Sequence, residues 1–257
     1  MRWFGGAIWE SICPVLENFT VEILPEIDST NSELMRRARA GRLEPILVVA
    51  ERQTAGRGRL GRAWYSEGVG GDDIPALTFS LGLSLAPQSW SGLSLAVGIS
   101  VAQSLHPSLQ LKWPNDIWLN DRKLGGILIE TATVNESRYA VMGIGINIAP
   151  RDAVGLATAP AWLREVQPGM DAAMALQRIA QPLVQTIQKF EQTGFAPFQG
   201  DFDRLDLLRG RSVVLSDGTT GQALGVDAAG GLRVKTTHGA VQTITSAEVS
   251  VRPVAPP

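Results

Sequence analysis

Between Glu51 and Ala63 the chain carries Arg52, Arg57, Arg59 and Arg62 interleaved with Gly56, Gly58 and Gly61, and no acid after Glu51 itself. That composition suits the capture of an anion. Arginine offers a planar fork of donors matched to phosphate and carboxylate, and glycine lets the backbone close over a ligand. A solvated arginine loop is the plain alternative, because charge runs usually face water. A second constellation lies in "KWPNDIWLNDRKLGGILIE", Lys112 to Glu130. Read plainly, it is a β-hairpin with Asn-Asp turns. Read for chemistry, Lys112 and Lys123 flank Asn115 and Asp116, the parts needed to hold a nucleotide's phosphate, metal and base. Gly125 and Gly126 then fall within a strand, where a missing side chain permits close approach by a ligand.

Two glycine fingerprints are tested against the arginine loop and fail. "GRGRLG" satisfies G-x-G-x-x-G and follows a strand, but the next residues, "RAWYSEGVGG", have no helical periodicity with which to start the packed helix of a dinucleotide site. The P-loop spacing from Gly56 is also present, yet Arg62 and Ala63 stand where Lys and Ser or Thr are required.

The elements that must position these residues follow from pattern and punctuation. "DSTNSELMRRARAGRL" opens a helix capped by a Thr30-x-x-Glu33 box and stopped at Gly41. "PILVVAE" is a buried strand leading into the arginine loop, and "ALTFSLGLSL" is a strand followed by the apolar helix "WSGLSLAVGISVAQSL". "LQLKW", "IWLN", "LGGILIET" and "YAVMGIGINI" are strands, the last with glycines on alternate positions. "MDAAMALQRIAQPLVQTIQKFEQT" is helical, with Pro182 a kink or a boundary between two helices. Beyond Gly200 the character changes. "RSVVLS", "QALGVD", "LRVKTT" and "AVQTIT" are short strands separated by glycine turns, the pattern of a small antiparallel barrel.

Bulk properties limit the function. At 257 residues, 44% hydrophobic and 19% charged, the chain has enough apolar sequence for one large domain and a small one. Its 23 basic and 25 acidic residues leave a net charge of −2, which excludes a surface made for general polyanion binding. Cys13 is the single cysteine, so no internal disulfide forms and a reducing compartment is expected. The apolar N-terminus is interrupted by Glu10 and has no small-x-small cleavage site, so it reads as a leader or edge segment of the fold. Ile74 to Leu111 lacks charge, but Pro75, Pro87 and Pro107 divide it into pieces too short to span a membrane.

The ordered set "DSTN", "ERQTAGRGRLGRAW", "LKWPNDIWLNDRKLGGILIE" and "GIGIN", followed by a short β module, resembles biotin protein ligase from about Ile23 to Val251. The resemblance implies an α/β (α+β) catalytic domain with a mixed sheet over residues 1–200, and an SH3-like β-barrel over 201–257. It implies that biotin's carboxylate attacks the α-phosphate of ATP, giving biotinyl-5′-AMP and pyrophosphate, and that a lysine of a biotin carboxyl carrier protein then takes the biotin. Biotin would be held by Ser29, Thr30, Gln53, Arg57 and Lys123 over a floor of Gly125, Gly126, Gly143 and Gly145. Arg57, Arg59 and Lys123 would do the catalytic work of charge neutralisation. Arg59, Arg62, Trp64, Lys112, Asn115, Asp116, Asn147 and Trp162 would meet ATP, with Asp116 the contact to its magnesium ion.

No protein nucleophile is needed, in keeping with Cys13, His106 and His238 lying outside every motif. Too few residues precede "DSTN" for the helix-turn-helix domain of some relatives, so no DNA binding is expected. A cytoplasmic monomer or homodimer is the implied form. A lipoate or octanoyl transferase of the same fold is the near alternative. A basic loop, tryptophans and a small barrel gripping single-stranded nucleic acid is the distant one. The sequence departs from the family pattern at Thr54, Ala55 and Leu60, and in a longer "SEGVGGDDIPA" link around Gly70 to Asp73.

Overall fold

The computed structural model describes residues 3–66, 74–150, 159–245 and 251–253. The 70–73 insertion lies outside them. Along the chain run α1 (Gly5–Ile12), β1 (Thr20–Ile27), α2 (Thr30–Arg39), β2 (Ile46–Gln53), β3 (Ala76–Ser84) and α3 (Leu93–Leu105). These are followed by β4 (Gln110–Lys112), β5 (Asp116–Leu119), β6 (Arg122–Val134), β7 (Ser137–Asn147), α4 (Ala172–Thr193) and α5 (Gln199–Leu205). The last five strands are β8 (Ser212–Leu215), β9 (Thr220–Val226), β10 (Leu232–Thr236), β11 (Val241–Ile244) and β12 (Val251–Pro253).

Seven strands form one mixed sheet in the order β1-β2-β3-β7-β6-β5-β4. β1 pairs with β2 in parallel, and the other pairings are antiparallel. Side chains alternate across a strand, so each strand serves two faces. Leu47, Val49, Leu77, Phe79, Leu81, Met142 and Ile144 point to one face and are buried with the apolar residues of α3 and α4. On the other face, Leu34, Met35 and Ala38 of α2 cover Val48, Tyr139 and Val141. α2 shields only part of that face. Gly143, Gly145, Thr78 and Ser80 share it further along, since Ser80 pairs with Gly143 and Thr78 with Gly145.

Several elements differ from expectation for identifiable reasons. Of the two readings of the N-terminal segment, the structure fits an edge segment of the fold: it is the helix α1, whose Ile8 and Ile12 are buried in the main core. Trp9 Nε1 donates to the Phe19 carbonyl and Trp3 Nε1 to Glu51, which ties the segment to the sheet. β1 has no clean alternation in "TVEILPEI" and borrows its order from seven residue pairs with β2. The α2 cap is Ser29, whose Oγ faces the Ser32 N–H, and not Thr30. Glu33 binds Arg36 and Arg37 instead of closing a capping box, which frees the Thr30 hydroxyl for the sheet. α4 runs as one helix across Pro182, which is therefore not a boundary between two helices. The apolar stripe of Leu176, Ile179, Leu183, Ile187 and Phe190 continues across it and holds a single helix in place.

The C-terminal strands make the expected small antiparallel sheet, in the order β11-β10-β9-β8-β12, with β12 a fifth strand beyond the four that pattern alone indicated. This SH3-like module is pinned to the main sheet at the β9–β10 turn. Trp113 Nε1 donates to the Gly230 carbonyl at 3.0 Å, and Ser91 Oγ to the Ala229 carbonyl at 2.6 Å. Gly230 has φ +82°, and a Cβ there would lie 2.8 Å from the Gly92 backbone, so no other residue fits that close approach. Among the described residues no helix is long and apolar enough to cross a membrane.

Candidate functional site

The site grows from the open part of the α2 face. Gly126 pairs with Gly145, and Leu128 with Gly143, so three glycines fall on the same face of neighbouring strands. Each makes room for a particular group. A Cβ on Gly143 would lie 2.1 Å from Asn31 Oδ1, one on Gly145 would lie 2.5 Å from the Trp64 ring, and one on Gly126 would touch Lys123 Nζ at 3.4 Å. Gly125 does not join them. It pairs with Ile146 on the opposite face, because adjacent residues in a strand cannot share a face; its missing Cβ avoids the Gly145 carbonyl at 2.6 Å.

The arginine loop leaves β2 at Gln53 and returns over this floor. Arg57 and Ala63 form an isolated bridge, and the Trp64 N–H donates to the Gly56 carbonyl at 2.9 Å. Between them the chain reverses through Leu60 and Gly61, both with left-handed φ. The exposed leucine at that position carries a conformation glycine would adopt more easily. Closed in this way, the loop delivers its cations to separate anchors. Arg57 Nη2 binds Glu130 Oε2 at 2.5 Å, and Arg59 Nη1 donates to Asn115 Oδ1 at 2.8 Å. Arg62 stays exposed. Burial pushes the Arg59 guanidinium below its ordinary value; the charge of Asp116 opposes this and that of Arg62 adds to it. Arg59 Nη2 is buried with no hydrogen-bond partner among the described residues.

Opposite the loop, the β5–β6 hairpin sets Lys123 Nζ 2.7 Å from Asp116 Oδ1. Asn115 is held by its own Nδ2, which donates to the Ile127 carbonyl, leaving Oδ1 toward Arg59. The structure therefore brings Arg59, Asn115, Asp116 and Lys123 together at one end of the glycine floor, with Arg57 held further along the same face of β6 at Glu130. Ser29, Thr30 and Gln53 lie at the other, where the Thr30 N–H donates to Gln53 Oε1 at 2.8 Å. Lys112 is opposite Asp116 in register, but its ammonium sits 4.8 Å from the Trp118 ring centre.

Asn147 and Trp162 form the far wall. Asn147 is 1% exposed; its Nδ2 donates to the Ala161 carbonyl, and its Oδ1 has no partner among the described residues. The Ala161 N–H in turn donates to the Lys123 carbonyl at 2.9 Å. These two bonds carry Trp162 to the edge of the site, where the Arg122 guanidinium lies 5.7 Å from its ring. A groove of about 370 Å³ leads away from Arg59 and Asn115 along Trp113, Ile127 and Ile129 to Gly230.

Arg57, Arg59 and Lys123 are the cations the site could turn to anions, and the buried Asn147 Oδ1 is an acceptor without a partner among the described residues. Among the described residues no cluster of three or more His, Cys, Asp or Glu gathers to hold a metal. Motif reading missed Asn31, Ser80 and Glu130, which turn out to join the two ends of the site. One signal was present: Ser80, like Thr78, is a hydroxyl in a largely apolar strand, on the face shared with the glycines.

Comparison with known proteins identifies relatives of the whole chain. Residues 24–147 match the model of the biotin/lipoate A/B protein ligase family, and residues 210–252 that of the biotin protein ligase C-terminal domain. The bifunctional ligase/repressor BirA of Escherichia coli is 34% identical over 248 residues, covering 92% of this chain and 75% of that protein. The biotin–[acetyl-CoA-carboxylase] ligase of Paracoccus denitrificans is 30% identical, with 88% and 98% covered. The structure of the Aquifex aeolicus biotin protein ligase in complex with biotin and ATP superimposes with a TM-score of 0.76 at 30% identity, covering 93% of this chain and all of that one. The chain belongs to the biotin protein ligase family.

Proposed function

We propose that this chain activates biotin with ATP to biotinyl-5′-AMP and then transfers biotin to a lysine of a biotin carboxyl carrier protein. The observation that carries this reading is the placing of Arg59 and Lys123 at one end of a floor of glycines and of Arg57 at Glu130 further along the same face, with Asn147 Oδ1 buried at the wall without a partner among the described residues. The first step brings a carboxylate onto a triphosphate. Both are anions, so the barrier is largely electrostatic, and preorganised donors in a water-poor site lower it.

In this reading Ser29, Thr30 and Gln53 hold the ureido ring, whose N–H and C=O groups need acceptors and donors alike. Arg57 and Lys123 face the carboxylate and α-phosphate, and Arg59 and Arg62 face the phosphates. Asn147 accepts from the adenine amino group, with Trp64 and Trp162 as aromatic walls, while Asn115 lies near enough to help. Lys123 moves from Asp116 to the reacting phosphate as charge builds. Magnesium would arrive with ATP, taking most of its ligands from phosphate oxygens and water, with Asp116 the protein group to reach it. It would supply further neutralisation of the triphosphate.

Two relatives are named for acetyl-CoA carboxylase, which supports a carrier domain of that kind as the acceptor. The division near residue 200 separates the activating domain from the module that braces Trp113. Location in the cytoplasm fits the ATP supply and the lone Cys13. The test is pyrophosphate release with and without biotin, followed by mass measurement of the carrier. Release that ignores biotin, or a carrier left unmodified while lipoate or octanoate is transferred, would overturn the reading.

A further inference from the structure

Glu130 lies on β6 on the same face as Gly126 and Leu128, and its Oε2 accepts from two donors: Asn31 Nδ2 at 2.9 Å and Arg57 Nη2 at 2.5 Å. Asn31 is 3% exposed and also donates to the Leu128 carbonyl. Two acceptors on one side fix its amide orientation, because only the NH2 group can serve both. Asn31 Oδ1 is therefore turned to Ser80 Oγ, 2.6 Å away.

Proton counting settles the rest. Ser80 has one hydroxyl proton, and Asn31 Oδ1 can only accept, so Ser80 donates there. The 2.7 Å contact between Ser80 and Thr30 then requires the Thr30 hydroxyl to be the donor. The same hydroxyl also lies 3.1 Å from Gln53 Oε1, a longer contact than the 2.7 Å to Ser80, so its single proton serves Ser80 while Gln53 Oε1 takes the Thr30 N–H. The outcome is a directed chain, Thr30 to Ser80 to Asn31 to Glu130, with Arg57 bound at its anionic end. All three neutral members are nearly inaccessible to solvent.

We propose that Glu130 is a positioning residue for the biotin step: held by Asn31, it aims the Arg57 guanidinium so that its remaining N–H groups meet the substrate carboxylate. Arg57 has five N–H donors, and Glu130 is its one partner among the described residues. Without that tether a long side chain on a glycine-rich loop would sample many rotamers, and binding would carry the cost of ordering it. The proposal rests on the reading of Arg57 as the group facing the carboxylate.

The test is a double-mutant cycle by calorimetric titration of biotin into the full chain, using Arg57→Ala, Glu130→Gln and the pair together, with Glu130→Asp as the conservative variant. Glu130→Gln should weaken biotin binding about tenfold, as expected for losing a charge-assisted bond. It should raise the KM for biotin in pyrophosphate release while kcat changes by less than about threefold. Glu130→Asp should recover part of the loss. In the Arg57→Ala background Glu130→Gln should change nothing further. An equal loss in both backgrounds, or no loss in either, overturns the proposal. A wild-type chain that ignores biotin defeats the reading of function and the positioning role with it. Thermal melting of each variant separates these outcomes from unfolding, which a purely structural role would produce without coupling to Arg57.

Discussion

Replacing Asp206 with asparagine should stabilise the protein at neutral pH and leave it unchanged in acid. Asp206 is 9% exposed and lies where the chain leaves α5 for the C-terminal sheet, forming an isolated bridge with Leu111. Its Oδ1 accepts the Leu208 N–H at 2.8 Å, but Oδ2 is buried with no partner among the described residues. Burial pushes its carboxyl up from 3.8 to about 6; Asp203 adds to this, while the Leu208 N–H and Arg209 pull the other way. A carboxyl raised in the folded state costs nothing below its unfolded value near 4, and costs progressively more as pH climbs through 6. The gap corresponds to roughly 3 kcal/mol carried in full above about pH 7. Asparagine keeps an oxygen for Leu208 and removes the charge. For a chain of this length the gain converts to a Tm rise of several degrees, up to roughly 10 °C. Differential scanning calorimetry at about pH 4 and about pH 8 would measure it. The same shift at both values, or a loss at the higher one, would refute a buried charge as the cause.

Four other substitutions probe the site. Lys123→Ala should slow adenylation by about 10²-fold or more, as for the loss of one preorganised donor; slowing confined to the transfer to carrier, in single-turnover kinetics, would contradict its place beside Asp116. Arg59→Gly should release activated biotin, seen as indiscriminate labelling of bystander lysines, and unchanged retention of the intermediate would count against it. Gly143→Ala places a methyl against the buried Asn31 amide and should cost about 1–3 kcal/mol in chemical denaturation, together with weaker biotin binding; wild-type values for both would show that Asn31 is free to move. Cys13→Ser should keep full turnover in the same pyrophosphate assay, since this cysteine follows α1, away from every site residue.

What the sequence disclosed was set by local rules. β2, β3, α3 and β7 were legible because their apolar runs are long and their punctuation is strong, and the two cationic motifs showed themselves by composition. β1 was not, since "TVEILPEI" alternates poorly and depends on the edge of β2 for its order. That α1 is helical was not legible because eight residues with glycines at the start carry little helical signal alone and are held by tertiary burial of Ile8 and Ile12. Gly125 was grouped with Gly126 because adjacent glycines look alike in sequence, whereas register divides them between faces. Asn31, Ser80 and Glu130 escaped for a related reason. Their roles exist only once α2, β3 and β6 are laid side by side.

That juxtaposition also explains why the loop and the floor cannot be treated separately. Gly145 leaves a hollow that the Trp64 ring fills, and Trp64 sits at the end of the segment that carries Arg57 and Arg59. The indole is thus the foot of the lid, and its footing is the absence of a side chain on β7. Glu130 on β6 and Asn115, which is tied to β6 at the Ile127 carbonyl, complete the seat, one for each arginine. A sheet that presented side chains at these positions would hold the lid off and disperse its charge. The glycines on the α2 face and the cations above them are therefore one device: the bare strands set the height at which the arginines come to rest.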